Sequence, residues 1–207
     1  LSQLSSYHFK KYNFDISKDQ STFKDTSHLW NQFKDCDGIK KLMLAALLGK
    51  LNVLLIGTPG SGKSMLSNSL ISFMEIADKN YPLEMAAIYH MAGLKPPSRL
   101  PFRSPHHSIS EIGMSGGGKP IRPGELSLAS GGILFLDELP EFKKSTLECL
   151  RQPLESRSIN IIRANEAHEL PADFSLIATA NPCPCGWSGD PAGKCICSPG
   201  QIFRYQS

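Results

Sequence analysis

The feature that most constrains this chain is residues 57–64, the segment Gly-Thr-Pro-Gly-Ser-Gly-Lys-Ser. An apolar run precedes it at residues 51–56 and predicts a buried parallel strand. Residues 65–74 follow with apolar side chains on one helical stripe, which predicts a helix. A glycine-rich turn between a strand and a helix has the spacing of a P-loop, whose backbone N–H groups surround phosphate oxygens. The alternative, a chance glycine-rich turn, is disfavoured because both flanking elements are predicted.

The P-loop predicts a nucleotide site with ATP and Mg²⁺ as cofactors. Lys63 is expected to reach the terminal phosphates, and Ser64 is expected to ligate Mg²⁺. The start of the following helix adds a partial positive charge that favours phosphate. The residues expected to bind the cofactors are Gly57, Thr58, Pro59, Gly60, Ser61, Gly62, Lys63 and Ser64.

A second landmark is residues 133–138, where four apolar residues end in Asp137 and Glu138. Because ligands of open parallel sheets bind at the carboxyl ends of the strands, both acids are expected beside the phosphates. We expect Asp137 to hold Mg²⁺ through water or Ser64, and Glu138 to act as the general base toward the attacking water. The alternative is an ordinary strand end with a solvated acidic turn, and the P-loop in the same chain makes it less favoured.

A third apolar strand is predicted at residues 174–180, and it ends at Asn181. A polar amide at that position can orient the lytic water opposite the γ-phosphate, so Asn181 is a candidate catalytic residue with Lys63 and Glu138. The alternative is an asparagine selected only for the turn before Pro182.

Length and composition limit the size of the domain and the classes of partner that the chain can have. The 207 residues and a hydrophobic fraction of 41% suit one sizeable packed α/β domain, and the net charge of +3 neither requires nor excludes nucleic acid. We predict a tail or linker at residues 1–30 and one domain at residues 31–207. The chain starts with Leu1, which predicts a fragment of something longer. The longest apolar run, residues 42–48, is too short to span a bilayer and no signal peptide is evident, so we expect a cytoplasmic protein with no membrane partner.

The remaining pattern predicts elements on both sides of these landmarks. Between residues 102 and 119 we expect an extended insertion with a glycine-rich tip at residues 116–118. The other predicted elements are a helix at residues 40–49, a helix at 84–94, a short helix at 123–129, one helix at 144–156 bent by Pro153, a strand at 158–163 and a polar turn at 164–171 that completes a hairpin.

The chain has six cysteines, and four of them form the pattern C-x-C-x₉-C-x-C at Cys183, Cys185, Cys195 and Cys197. Four thiols so close in sequence could surround one tetrahedral, structural Zn²⁺. The spacing C-x-C is tighter than the usual C-x-x-C, so a loop of reduced cysteines that binds no metal stays an equal alternative. Either interpretation predicts a reducing compartment.

Several segments in a fixed order resemble the AAA+ ATPases of the magnesium-chelatase branch. They are GTPGSGKS, ILFLDELPEF, LRQPLE and LIATANPCPCG, together with the inserted FRSPHHSIS…GGG…PGELSLASGG and the run PCPCGWSGD…CSPGQIFRY. The likeness covers about residues 33–207 and is specific, because several unrelated segments agree at once.

The resemblance implies an AAA+ P-loop NTPase core, a parallel sheet flanked by helices, with a helix-2 insertion at about residues 99–129 and a pre-sensor hairpin at about 157–173. It implies Walker A roles for Lys63 and Ser64, Walker B roles for Asp137 and Glu138, and a sensor 1 role for Asn181. It further implies a ring, expected to be a hexamer, with nucleotide between subunits and the inserted hairpins facing a central pore.

The sequence departs from the family in two places. Gly38-Ile39 stands where the family has Gly-Gln, which puts a contact near adenine in doubt. The chain ends at Ser207, before the segment that carries the arginine finger and the helical lid with sensor 2 in the family. We therefore expect the lid to be missing and this fragment to bind nucleotide weakly and to hydrolyse it slowly.

Three functions remain in competition. Relatives in this branch are associated with DNA branch migration in recombination and natural transformation, so the first is an ATP-driven DNA motor. The second is a chelatase-type ATPase that drives metal insertion into a tetrapyrrole. The third is a metal-binding interaction module with a degenerate NTPase core, which intact P-loop and acidic residues disfavour. For a DNA motor, contacts to phosphates are expected from basic residues of the two insertions, Lys119, Arg122, Arg157 and Arg163, although solvated surface charge is an equal alternative.

Overall fold

The computed structural model describes residues 37–71, 83–97, 100–163 and 166–206. The predicted tail at residues 1–30 lies outside them. The centre is a parallel four-stranded sheet in the order β1-β8-β5-β2, flanked by helices, and it confirms the predicted P-loop NTPase fold class. Its strands are Val53–Ile56 (β1), Phe102–Arg103 (β2), Ile133–Leu136 (β5) and Ser175–Ala180 (β8).

Three helices belong to the first half of the described chain. They are Asp37–Leu48 (α1), Lys63–Ser69 (α2) and Leu83–Met91 (α3). Helix α2 starts two residues earlier than predicted, because Gly62 adopts a left-handed conformation (φ 84°) and turns the P-loop directly into the helix at Lys63. The helix ends at Ser69, with Leu70 as its C-cap, which is earlier than the predicted end at residue 74.

Strand β5 is buried on both faces, which accounts for its uninterrupted apolar run. Ile133 and Phe135 pack with α1 and α2 through Met43 and Leu66. The alternate residue Leu134, like Leu136, belongs to the larger core on the opposite face, together with residues of α3. Because successive side chains of a strand point to opposite faces, β5 packs against helices on both sides of the sheet.

The segment that begins with β2 and leads to β5 differs from the predicted extended insertion. Its first part, Phe102–Arg103, is a strand of the central sheet and pairs with β5 in parallel. The rest folds into small elements, namely Glu111–Ser115 (α4), Gly116–Gly117 (β3), Arg122–Pro123 (β4) and Glu125–Leu128 (α5). Arg103 fastens the insertion to the sheet through a bidentate ion pair with Glu125, both N···O distances being 2.6 Å. This hydrogen-bonded pair raises the pKa of Arg103.

The prediction of a single bent helix at residues 144–156 is wrong. The structure has two helices, Lys144–Glu148 (α6) and Arg151–Ser156 (α7), and the chain breaks between them. Pro153 does not cause the break, because it lies in the first turn of α7, where a missing N–H costs no helical hydrogen bond.

The predicted hairpin before β8 is present, but its turn is shorter than expected. Ser158–Arg163 (β6) pairs antiparallel with Glu166–Pro171 (β7). Most of the predicted polar turn at residues 164–171 is thus the second strand. Residues 167–169 of this strand are exposed and only Leu170 is buried, so the segment lacks the apolar alternation that would have indicated a strand in sequence.

One element was not predicted at all. The helix Pro199–Gln206 (α8) follows the cysteine segment and has no fully buried residue. Among the described helices, none combines the length and the apolar character needed to cross a bilayer.

Candidate functional site

The predicted residues of the nucleotide site lie together at the carboxyl ends of β1, β8 and β5. Lys63, the first residue of α2, donates from Nζ to the carbonyl oxygens of Gly57 at 2.7 Å and Thr58 at 2.9 Å. The same ammonium group donates to Asn181 Oδ1 at 3.3 Å. The P-loop and the end of β8 are therefore joined through one lysine.

Ser64 and Asp137, the two residues expected to hold Mg²⁺, are in direct contact. The Ser64 hydroxyl donates to Asp137 Oδ1 at 2.8 Å, although the two residues are 73 positions apart in sequence. The contact follows from the strand order, because β8 between β1 and β5 brings both strand ends to one edge of the sheet.

Thr179 is a residue of this site that the sequence analysis missed. Leu136 pairs with Ala178, so Asp137 comes level with Thr179 at the end of the adjacent strand. The Thr179 side chain is buried, donates its hydroxyl hydrogen to Asp137 Oδ1 and accepts the backbone N–H of Glu138 at 3.0 Å. One hydroxyl thus holds both Asp137 and Glu138. The contact could have been predicted only from the register of the two strands, which the sequence does not show.

Glu138 has a strained backbone. Its φ of 56° and ψ of 54° are left-handed, a conformation that non-glycine residues rarely adopt. A hydrogen bond from its N–H to Thr179 offsets part of this cost, and the following 3₁₀ turn starts with Leu139. Glu138 is exposed rather than packed in the core. Strain of this kind often accompanies functional residues.

Asn181 is held from two sides. Its carbonyl oxygen accepts from Lys63, and its side chain lies close enough to the Tyr205 hydroxyl of α8 to lower the pKa of that group in part. Partial burial raises the pKa of Tyr205, and the charges of Glu141 and Glu138 raise it further. Gln206, the next residue, donates from Nε2 to the Pro182 carbonyl at 2.8 Å. The unpredicted helix α8 thus lies against the residues that follow β8.

The four cysteines of the C-x-C pairs form one cluster. The Sγ atom of Cys183 lies 3.3 Å from that of Cys185 and 3.8 Å from that of Cys195, and Cys185 and Cys195 are 3.7 Å apart. All four sulfur atoms, including that of Cys197, lie within 4.8 Å of one another. No other group of metal-ligating side chains is this compact in the part of the chain that the structure describes.

The thiols of this cluster differ in their pKa. Backbone N–H groups of Ile196 and Trp187 lower the pKa of Cys185 to about 6. A backbone N–H hydrogen bond at Cys185 lowers the pKa of Cys197, but burial and the neighbouring thiols outweigh it and raise the value to about 11. The surroundings therefore favour one thiolate, and further thiolates at this spacing repel it unless a cation is bound.

The basic residues of the insertions have different environments. Lys119 and Arg122 are exposed at the β3–β4 turn. Arg157 instead donates to the Phe174 carbonyl at 3.0 Å and pairs with Asp173 at 3.5 Å, so it fastens the base of the β6–β7 hairpin. The side chain of Arg163 lies outside the described residues.

Residues 30–207 match the family described as magnesium chelatase, subunit ChlI. The match covers the P-loop, the acidic pair, Asn181 and the cysteine cluster in one continuous stretch.

Individual relatives agree with this match. The chain is 41% identical over 194 residues to the uncharacterized protein YifB of Salmonella typhimurium, which covers 92% of this chain and 38% of that protein. It is 41% identical over 170 residues to the competence protein ComM of Haemophilus influenzae, covering 80% and 33%, and 43% identical over 161 residues to YifB of Escherichia coli, covering 76% and 31%. The chain therefore spans about a third of the length of these relatives.

Proposed function

Since the chain belongs to the magnesium chelatase, subunit ChlI family, we propose that it is the ATP-hydrolysing core of an AAA+ motor. The observation that carries the proposal is the contact of Lys63 and Ser64 with Asn181 and Asp137, at distances of 3.3 and 2.8 Å. Residues from three separate segments meet beside the P-loop, where we expect the phosphates of a nucleotide to bind.

The oxygen atoms at this site suit Mg²⁺. Adjacent ligands of an octahedral Mg²⁺ lie about 3.0 Å apart, as follows from metal–oxygen distances of about 2.1 Å. Ser64 Oγ and Asp137 Oδ1 are 2.8 Å apart, so both oxygens match one edge of such an octahedron without a large movement. When bound, Mg²⁺ would neutralise charge on the β- and γ-phosphates.

The residues of the chain have distinct proposed roles in hydrolysis. Water attacks the γ-phosphorus, the bond from that phosphorus to the bridging oxygen breaks, and ADP and phosphate are released. Glu138 takes the proton from the attacking water, which its exposed position permits. Asn181 orients that water, and Lys63 stabilises charge on the phosphates. Thr179 keeps Asp137 and Glu138 in position but does not contact the reacting atoms.

We propose that the motor works as a ring, expected to be a hexamer, in the cytoplasm and that it acts on DNA. The name of the Haemophilus relative, a competence protein, supports a role in DNA uptake or recombination, such as branch migration. The exposed Lys119 and Arg122 offer a short basic tip that could contact phosphates. Free thiols at every described cysteine suit a reducing compartment.

The first experiment is ATP turnover by the full-length protein that contains this chain, with and without single-stranded or branched DNA. We expect DNA to stimulate turnover. ATP hydrolysis that no DNA structure stimulates would contradict the DNA motor while leaving the ATPase proposal intact. Absence of hydrolysis under all conditions would contradict both.

The basic tip can be tested separately. Replacing Lys119 and Arg122 together by alanine should reduce DNA stimulation and its salt dependence, with basal turnover unchanged. Replacing Lys143 and Lys144, which are also exposed, removes the same charge elsewhere and serves as the control. Equal losses in both double variants would indicate a general charge effect and count against the tip as a contact.

The second candidate is a chelatase-type ATPase that drives metal insertion into a tetrapyrrole. The description of the matched family favours it. Turnover stimulated by a porphyrin-binding partner rather than by DNA would distinguish it from the first candidate.

A further inference from the structure

We propose that Cys183, Cys185, Cys195 and Cys197 bind one structural Zn²⁺, and that this centre holds Asn181 and the P-loop in their working positions. The first half of the proposal stands on the cysteine geometry alone. The second half rests on the proposed ATPase function.

The sulfur positions fit a tetrahedral zinc site. Four thiolates at about 2.3 Å from one Zn²⁺ are about 3.8 Å from each other. The distances of Cys195 Sγ to Cys183 and Cys185, 3.8 and 3.7 Å, match this value, and Cys183 and Cys185 at 3.3 Å are slightly closer. The fourth sulfur, of Cys197, lies within 4.8 Å of all the others. Tetrahedral sites built only from thiolates are typical of zinc.

Backbone groups around the cluster complete the pattern of a metal site. The N–H of Ser188 donates to Cys183 Sγ at 3.2 Å, and the N–H groups of Trp187 and Ile196 hydrogen-bond to Cys185. Hydrogen bonds of this kind orient metal ligands and stabilise their negative charge. Two of these donors follow the first pair of cysteines, and the third lies between the second pair.

The segment between the cysteine pairs has little else to hold it. Residues 184–198 contain no helix or strand, and Gly186 is their one buried residue. Ile196, its largest aliphatic side chain, is 88% exposed. A stretch that buries so little apolar surface needs another source of order, and a metal bound by four residues supplies it.

The cluster is positioned to influence the nucleotide site. Cys183 follows Asn181 by two residues, so a fixed Cys183 limits the freedom of Asn181. Gly186 lies against Pro59 of the P-loop, because a Cβ atom built on this glycine would be 2.6 Å from the proline side chain. Beyond Cys197 the chain returns through α8, where Gln206 donates to the carbonyl of Pro182, the residue after Asn181, at 2.8 Å. Metal binding would therefore restrain Asn181, the P-loop and α8 where they meet beside the nucleotide site.

The metal is tested by elemental analysis of the full-length protein, purified without a metal-affinity tag or chelator. We expect about one equivalent of zinc per chain, and after exchange with Co²⁺ we expect the visible absorption bands of tetrahedral cobalt thiolate. The double variant Cys195→Ser/Cys197→Ser should lose the zinc. Cys149→Ser, at a free cysteine outside the cluster, should keep it. Zinc below about a tenth of an equivalent, iron in its place, or four cysteines recovered as disulfides would each overturn the zinc site.

The influence on the nucleotide site is tested by hydrogen exchange and by nucleotide binding of the same variants. In the double variant we expect faster exchange in α8 and at the end of β8, and at least tenfold weaker binding of a fluorescent ATP analogue. Zinc loss that leaves both exchange and affinity unchanged would overturn the positioning role. Since zinc content and exchange do not depend on catalysis, a protein that binds zinc but does not hydrolyse ATP would contradict only the proposed function.

Discussion

Replacing Thr179 by valine isolates the hydroxyl that fixes both acidic residues. Valine has almost the same shape, so the buried volume is kept while the hydrogen bonds to Asp137 and Glu138 are lost. A buried donor left without a partner costs about 1–3 kcal/mol, and a hydrogen bond to a charged group contributes a similar amount. We expect a loss of about 2 kcal/mol in unfolding free energy, which lowers Tm by about 4–8 °C for a domain of this size.

The same substitution should also reduce ATP turnover. If the misplaced Asp137 and Glu138 lose about 2 kcal/mol of transition-state stabilisation, kcat/KM falls about thirtyfold. Turnover of the full-length protein and urea unfolding, measured side by side, separate the catalytic effect from the stability effect.

Two variants serve as controls for this prediction. Thr179→Ser keeps the hydroxyl and should retain turnover within about threefold, while the lost methyl group costs about 1 kcal/mol of stability. Thr146→Val removes the hydroxyl of another buried threonine, whose 3.4 Å contact to the Ile109 carbonyl is long, and it should leave turnover unchanged. Normal turnover in Thr179→Val, or an equal loss in Thr179→Ser, would refute the positioning role of the hydroxyl.

Three further variants test the site. Lys63→Ala should abolish nucleotide binding in calorimetry, and retention of submillimolar affinity would contradict its role at the phosphates. Glu138→Gln should bind ATP without hydrolysing it, so single-turnover kinetics should show retained nucleotide, and unimpaired hydrolysis would remove it as the base. Gly186→Ala should weaken both stability and nucleotide binding because its Cβ would meet Pro59 at 2.6 Å, whereas Gly189→Ala has a similar positive φ but open space around it. Urea unfolding and nucleotide titration compare the two alanine variants, and equal effects would exclude the clash as the cause.

The sequence was most informative where local pattern and chemistry coincide. The P-loop, β5 with its two acids and β8 with Asn181 were predictable because apolar runs end in polar residues at fixed positions. Their convergence followed from the rule that parallel strands gather their carboxyl ends on one edge. The roles assigned to these residues stay predictions.

What the sequence could not supply depends on tertiary contacts. Phe102–Arg103 is too short to show strand periodicity, and its pairing with β5 alone makes it a strand. In the sequence, Thr179 is one residue within an apolar run. Its contact with Asp137 depends on the register between β5 and β8. The helix α8 has no buried residue, so its sequence shows no apolar stripe that would predict a helix. The position of Tyr205 near Asn181 depends on the fold and could not be predicted.

The order of the strands also has a consequence for how the molecule folds. The hydrogen bonds that build the nucleotide site join residues 73 and 118 positions apart, so no short stretch of chain can assemble it by itself. Contacts of such long range slow folding, because a large loop must close before they contribute any stabilisation. During synthesis on the ribosome, the P-loop emerges early, but Lys63 cannot contact Asn181 until β8 has also been synthesised. The site is therefore expected to be among the last parts of the domain to become native.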